Sequence, residues 1–285
     1  MEQQTALILD QFTKQAETFA TAPALSDANS LELLVRCSGL TADDTVLDVA
    51  CGAGIVACHL AHRARHVTGR DLTPAMIERA RARQRAEELV NVTWQVGEVL
   101  PLPMPRATYS LVVSRYAFHH FLEPSKVLAE MVRVCVPGGR IAIVDVTPRV
   151  EVVSQYNTME KLRDPSHVAA LTLEEFQQMA TELGLQLLAL SNYHMNLTVD
   201  QLMAASFPNP GDELKVRAMF EQDLQTGCLG LGTQCSPAQR ARRPQDESET
   251  REMPVAVGAP FCASSLKVDR RFGYPTSIMV WSKHL

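Results

Sequence analysis

The stretch Val46-Leu47-Asp48-Val49-Ala50-Cys51-Gly52-Ala53-Gly54-Ile55-Val56-Ala57 constrains this chain more than any other. An apolar run of buried-strand type passes into an acid, then a Gly-x-Gly turn, then an apolar helix. The glycines let the backbone turn sharply and let a ligand approach the main chain, and the helix offers free amide groups at its N-terminus. A second short apolar strand, His66 to Gly69, leads to Asp71, 23 residues after Asp48. An acid at that place can accept both hydroxyls of a ribose.

Paired glycines also occur in dinucleotide sites and in unrelated loops, so the acid carries the discrimination. A dinucleotide brings pyrophosphate to the helix N-terminus, where a carboxylate just before the glycines would repel it. Ala57 at the third glycine position is compatible with either ligand. Asp48 therefore points to a cationic adenosyl-sulfonium rather than to NAD.

Four more blocks follow in order: Gly69-Arg70-Asp71-Leu72-Thr73-Pro74-Ala75-Met76; Gly97-Glu98 with Leu100-Pro101-Leu102-Pro103; Ser114-Arg115-Tyr116-Ala117-Phe118-His119-His120-Phe121; and Pro137-Gly138-Gly139-Arg140. With these blocks, Phe12 to about Leu190 resembles the class I S-adenosylmethionine-dependent methyltransferases of the ubiquinone/menaquinone C-methyltransferase type. The resemblance implies an α/β fold with a Rossmann-like seven-stranded sheet, helices on both faces and the last strand antiparallel. It implies S-adenosyl-L-methionine as cofactor, with Asp48, Gly52 and Gly54 at the methionine end, Asp71 on the ribose, Leu72 and Met76 flanking the adenine, and Glu98 with Val99 at its edge. Ala50, Ser114 and Arg115 complete the expected cofactor set. Two positions depart from the family pattern: Glu98 stands where Asp is usual, and Arg70 where Val or Ile is usual.

Periodicity predicts strands over Thr45–Val49, His66–Gly69, Val92–Val96, Tyr109–Ser114, Arg140–Asp145, Leu185–Leu190 and Thr276–Trp281. Helices are expected over about Ile55–Arg63, Pro74–Glu88, Pro124–Val134 and Val152–Leu162. Short β-rich runs alternating with amphipathic helices require crossovers and hence a parallel sheet. Thr73 is placed to cap the helix that Pro74 opens, Thr172 with Glu175 has capping-box spacing, and Thr198 with Gln201 repeats it. Arg79, Arg81, Arg83 and Arg85 read as a solvated helix face. The first forty residues look helical, with Phe12 and Phe19 on one stripe with Leu7, Ile8 and Ala16. Core packing and a lid over the acceptor pocket are compatible readings of that stripe. The expected organisation is one domain over residues 1–285: a helical lid (1–40), a cofactor-binding core (41–190) and a C-terminal substrate or cap region (191–285). The Arg-, Glu-, Ser- and Pro-rich stretch 235–265 is expected as a mobile surface insertion.

Net charge is −5, so no basic field collects nucleic acid. No apolar run approaches the roughly 20 residues of a spanning helix, and Met1-Glu2-Gln3-Gln4 lacks a basic signal start. A cytoplasmic protein acting on a small molecule is expected, and a homodimer stays open. Cys51, Cys58 and Cys135 fall on core elements as small hydrophobes. Cys228, Cys235 and Cys262 lack the His or acidic neighbours of a metal site, and no metal is expected.

Methyl transfer from a sulfonium is an in-line displacement, in which the protein chiefly aligns the acceptor and excludes water. A phenol, enol or acidic carbon also gains from a base near neutral pKa. His119 and His120 follow the fourth strand, where open α/β sheets place ligands, and are the catalytic candidates. Phe12, Phe19, Tyr116, Arg163 and His167 are the acceptor-site candidates. Arg115 and Arg163 have two readings, holding a carboxylate or enolate acceptor, or pairing with acids such as Glu98 or Asp164. His167 likewise either meets the acceptor or pairs with Asp164. The expected activity is methylation at O or C of a quinone, phenol or polyketide-like molecule. A cofactor-binding protein of this fold that catalyses cyclisation or dehydration, or a module without turnover, is the alternative.

Overall fold

The computed structural model describes residues 2–236 and 269–284. Apolar strands alternate with amphipathic helices in β1 (Thr45–Val49), α3 (Ile55–Ala61), β2 (His66–Asp71), α4 (Pro74–Ala86), β3 (Val92–Val96), β4 (Tyr109–Arg115), α5 (Pro124–Val134) and β5 (Cys135–Val146). β1 to β5 are parallel, with β1 between β2 and β4. The sheet runs β3-β2-β1-β4-β5-β8 (Asp269–Ser282)-β6 (Gln186–Thr198), so strand order reverses between β1 and β4. That reversal opens a crevice at the C-terminal ends of the two strands.

Both faces are covered because strand side chains alternate sides. One face packs Val127, Leu128 and Met131 of α5 and Phe176 of α7 (Leu173–Glu182) against Leu47, Val112 and Trp281. The other packs α2 (Ala28–Ser38) and α3 through Leu31, Leu34, Val56 and Leu60 against Val46, Val67 and Val113. Thr172 and Glu175 form the expected capping box on α7, and Thr198 and Gln201 the one on α8 (Val199–Ala204). Thr73 makes no cap bond to α4. Its amide instead donates to Asp71 Oδ1 at 2.8 Å.

The C-terminal third is more extended than expected. β6 spans Gln186–Thr198 and the antiparallel β8 spans Asp269–Ser282, against the shorter strands predicted at 185–190 and 276–281. β7 (Gln234–Ser236) pairs with β8 as an eighth strand beyond the seven expected. With α6 (Val153–Arg163), α8 and α9 (Asp212–Thr226), this ribbon builds a separate apolar cluster around Met159, Phe220 and Phe272. Residues 237–265 of the expected charged insertion, and Cys262, lie outside the described residues. Among the described residues no helix is long and apolar enough to cross a membrane, and no group of three His, Cys, Asp or Glu is placed to hold a metal ion.

α1 (Glu2–Thr21) lies beside the crevice and clusters through Phe12, Ala16 and Phe19 with Ala53 and Met76. The arginine face of α4 is not simply solvated. Arg79 pairs with Glu17 at 2.8 Å and Arg83 Nη2 donates to Ala20 O at 2.8 Å, tying α1 to α4.

Candidate functional site

Two adjoining cavities of about 220 and 720 Å³ occupy the crevice and share Phe12, Phe19, Leu25, Tyr116 and His120 as lining residues. The smaller lies over the Asp48–Gly54 loop. Gly54 opens α3 at φ 76°, and a Cβ there would stand 2.7 Å from Trp94 and 2.8 Å from Ala80, so the close loop–helix approach requires glycine. Ala50 at φ 56° and Tyr116 at φ 55° adopt left-handed backbone without glycine's freedom, one after each of the strands that frame the crevice. Strain of this kind clusters at functional sites.

Asp48 is 1 % exposed and lines the smaller cavity, and its Oδ2 has no hydrogen-bond partner. Burial pushes its pKa up to about 8, partly offset by the Ala57 amide, with Asp71 adding to the rise. A buried carboxylate with one oxygen unpartnered calls for a cationic ligand group. Asp71 accepts from Gly52 N through Oδ2 and from Thr73 N through Oδ1, both at 2.8 Å. Each oxygen keeps lone-pair capacity for a further donor. Burial raises the Asp71 pKa against those two amide bonds. Leu72, Met76, Glu98 and Val99 line the same cavity. Arg70, the unusual residue, donates through Nε to Glu98 O at 2.7 Å and through Nη1 to Gln95 at 3.2 Å, so it braces the turn that carries Glu98. The cavity thus offers an orphaned acid for an aminoacyl ammonium, a held acid for ribose hydroxyls and an apolar slot for adenine. These features fit S-adenosylmethionine.

Of the expected cofactor residues, Asp48, Ala50, Gly52, Asp71, Leu72, Met76, Glu98, Val99 and Arg115 line this cavity. Gly54 and Ser114 do not. Gly54 shapes the loop from behind, and Ser114 is buried with Oγ donating to Val49 O at 2.9 Å. Arg115 pairs with neither suggested acid. Its Nη2 donates to Leu25 O at 2.8 Å and its guanidinium lies 4.8 Å from the Tyr116 ring centre.

The larger cavity is walled by Phe12, Phe19, Tyr116, Tyr156, Tyr193 and Tyr274 with His119, His120 and Arg163. His119 Nδ1 lies 2.7 Å from Asp145 Oδ1, and Asp145 is fixed by the Phe118 amide at 2.9 Å and the Val146 amide at 2.7 Å. Burial lowers the His119 pKa, but Asp145 outweighs it and the net shift is upward. Asp145 is the residue that sequence reasoning missed, and its signal was an acid at the end of an otherwise apolar strand. His120 Nδ1 stands 3.1 Å from Ser166 O, and burial with His119 beside it brings its pKa down to about 4, so it is neutral. Phe12 packs edge-on to the His120 ring at 5.0 Å.

Two acceptor-site candidates have partners other than those expected. The His167 side chain does not pair with Asp164, only its amide reaching Asp164 O at 3.0 Å, and it lines neither cavity. Its Nε2 is 2.8 Å from Asn157 Oδ1, its ring stacks behind His119 at 5.5 Å, and burial drives its pKa down. Arg163 lines the larger cavity, but its partner is Glu160, reached through Nη2 at 2.6 Å and Nε at 2.9 Å.

A family model described as "Methyltransferase domain" matches residues 47–143. The chain is 32% identical over 170 residues to the uncharacterized methyltransferase YcgJ of Bacillus subtilis, covering 59% of this chain and 67% of YcgJ. It is 38% identical over 105 residues to a demethylmenaquinone methyltransferase of Deinococcus radiodurans, covering 36% of this chain and 43% of that protein. The solved structure of YcgJ superposes with a TM-score of 0.72 at 22% identity, over 90% of this chain and 99% of that one. The [4+2]-cyclase SpnF superposes at 0.60 and 15% identity, over 90% and 80%, a likeness of fold alone.

Proposed function

We propose that this chain, which belongs to the S-adenosylmethionine-dependent methyltransferases, methylates O or C of an aromatic or conjugated small molecule held in the larger cavity. The observation that carries the reading is the shared wall: Phe12, Phe19, Tyr116 and His120 border both a cavity fit for the sulfonium donor and an aromatic-lined one. The cofactor supplies an electrophilic methyl group.

On this reading Asp48 would hold the donor's ammonium and Asp71 its ribose. The aromatic faces align a planar acceptor and keep out water, and alignment supplies most of the acceleration. His119 takes the acceptor's proton at Nε2, since Nδ1 faces Asp145. The imidazolium that would form on taking that proton is stabilised by Asp145. Such a base contributes roughly 10²- to 10⁴-fold. α1 and its ties to α4 act as the lid over both compartments.

The test is incubation of purified protein with methyl-labelled donor and a panel of phenols and hydroquinones. Labelled product with equimolar S-adenosylhomocysteine is expected. Acceptor conversion without S-adenosylhomocysteine would establish a cyclising or dehydrating enzyme instead.

A further inference from the structure

Besides its histidines, the larger cavity is lined by four charged side chains: Asp27, Glu160, Arg163 and Asp164. Arg163 is the single arginine or lysine among these described lining residues, and its guanidinium is already committed. Nε and Nη2 both donate to Glu160 Oε2, and Nη1 reaches Ser206 Oγ at 3.3 Å. Glu160 is held in turn by the Tyr274 hydroxyl, which donates to Oε1 at 2.7 Å. The pair is buried, with side-chain exposures of 11% and 3%. Asp164 accepts from Ser166 through Oδ1 and from Gln15 through Oδ2, and Asp27 caps α2 by accepting from Ser30 N at 2.8 Å. The charge on these walls is therefore an excess of acid. His119 adds no free cation, because Asp145 faces it.

Taking the larger cavity as the acceptor site proposed above, we infer that Glu160 is a specificity-determining residue: by neutralising Arg163 it closes the cavity to carboxylates, so the acceptor is an uncharged hydroxylated aromatic. A carboxylate leaving water needs a cation or several donors in exchange. Here it would have to displace from Arg163 a buried carboxylate that already accepts two of its N–H groups, while facing Asp27 and Asp164. A neutral phenol gives up far less hydration and can donate its proton within the cavity.

The test is equilibrium dialysis at about pH 7 of protein saturated with S-adenosylhomocysteine, using 2-naphthol, 2-naphthoate and 2-naphthylmethylamine as probes. Wild type should hold 2-naphthol at least about tenfold more tightly than 2-naphthoate. Glu160→Gln frees Arg163 and should gain naphthoate affinity by a similar factor, a change of ratio that a merely structural role would not produce. If Glu160→Gln fails to fold by circular dichroism, Asp164→Asn, which removes one acid and leaves the ion pair, should still raise naphthoate affinity severalfold. Equal binding of naphthol and naphthoate to wild type, or an unchanged ratio in a folded Glu160→Gln, would overturn the role of Glu160; tighter binding of the amine would overturn the uncharged acceptor, and unchanged naphthoate affinity in Asp164→Asn would overturn the exclusion by excess acid, each leaving methyl transfer standing. If S-adenosylhomocysteine binds but no probe does, the aromatic-acceptor reading itself fails, and the specificity falls with it.

Discussion

Asp48→Asn tests the cofactor site through both stability and binding. In the ligand-free protein Asp48 is buried, its Oδ2 is unpartnered, and its pKa stands at about 8 against an ordinary 3.8. The unfolded chain is ionised at neutral pH while the folded one is protonated, so folding must take up a proton. At about pH 7 that costs up to about 4 kcal/mol. Because the folded pKa is raised, this group's penalty is absent below 3.8, grows as pH rises and levels off above about 8. Asparagine carries no such penalty, so Asp48→Asn should melt higher than wild type at neutral pH and lose part of the pH dependence of unfolding. Binding should move the other way. An ammonium seated on Asp48 favours the carboxylate, so cofactor binding releases a proton below pH 8. Affinity should then rise nearly tenfold per pH unit between about pH 6 and 7.5. Calorimetry in buffers of different ionisation enthalpy measures the proton release, and thermal melts across pH measure the stability. Flat affinity across that range in wild type, or a less stable ligand-free Asp48→Asn, would refute the reasoning.

Other substitutions probe the remaining parts of the site. Asp71→Ala should weaken S-adenosylmethionine by about 1 to 3 kcal/mol through lost charge-assisted hydrogen bonds, with unchanged calorimetric affinity in a folded variant counting against the ribose assignment. His119→Ala should slow turnover at nearly unchanged cofactor affinity. In wild type kcat/KM should climb with pH through an apparent pKa above 6.5, because Asp145 raises it, and Asp145→Asn should move that limb downward; a pH profile identical in all three would remove the base. Tyr116→Gly relieves a left-handed tyrosine at φ 55°, a strain of about 1 to 3 kcal/mol. It should lower activity at least as much as the ring's removal demands while costing little stability, and a large loss of melting temperature would argue that Tyr116 is a packing residue.

Much of the cofactor half is legible in the chain because it is local. The acid, the glycines and the following helix lie within one strand–turn–helix unit, and Asp71 ends the next strand. Thr172 with Glu175 and Thr198 with Gln201 are likewise three-residue relationships. Thr73 stands at the N-cap as expected, but its Oγ1 makes no hydrogen bond to the helix while its amide goes to Asp71, two residues earlier. The length of β6 was hidden by Asn192, His194 and Asn196, which alternate with Tyr193, Met195 and Leu197 but look polar when read as a run.

The acceptor half depends on contacts between distant residues. Nothing near His119 in the chain announces Asp145, 26 positions away, or shows that His167 would stack behind it. Glu160 stands only three positions before Arg163, so their pairing is local to α6, whereas its burial and the Tyr274 hydroxyl on Glu160, 114 positions away, come from the fold. By itself the sequence determined the α/β architecture and the glycine turn with its two acids, because periodicity and turn chemistry act over a few residues. Tertiary structure alone decided which histidine has a carboxylate and how the larger cavity is walled, because hydrogen bonding and burial join side chains without regard to their separation along the chain.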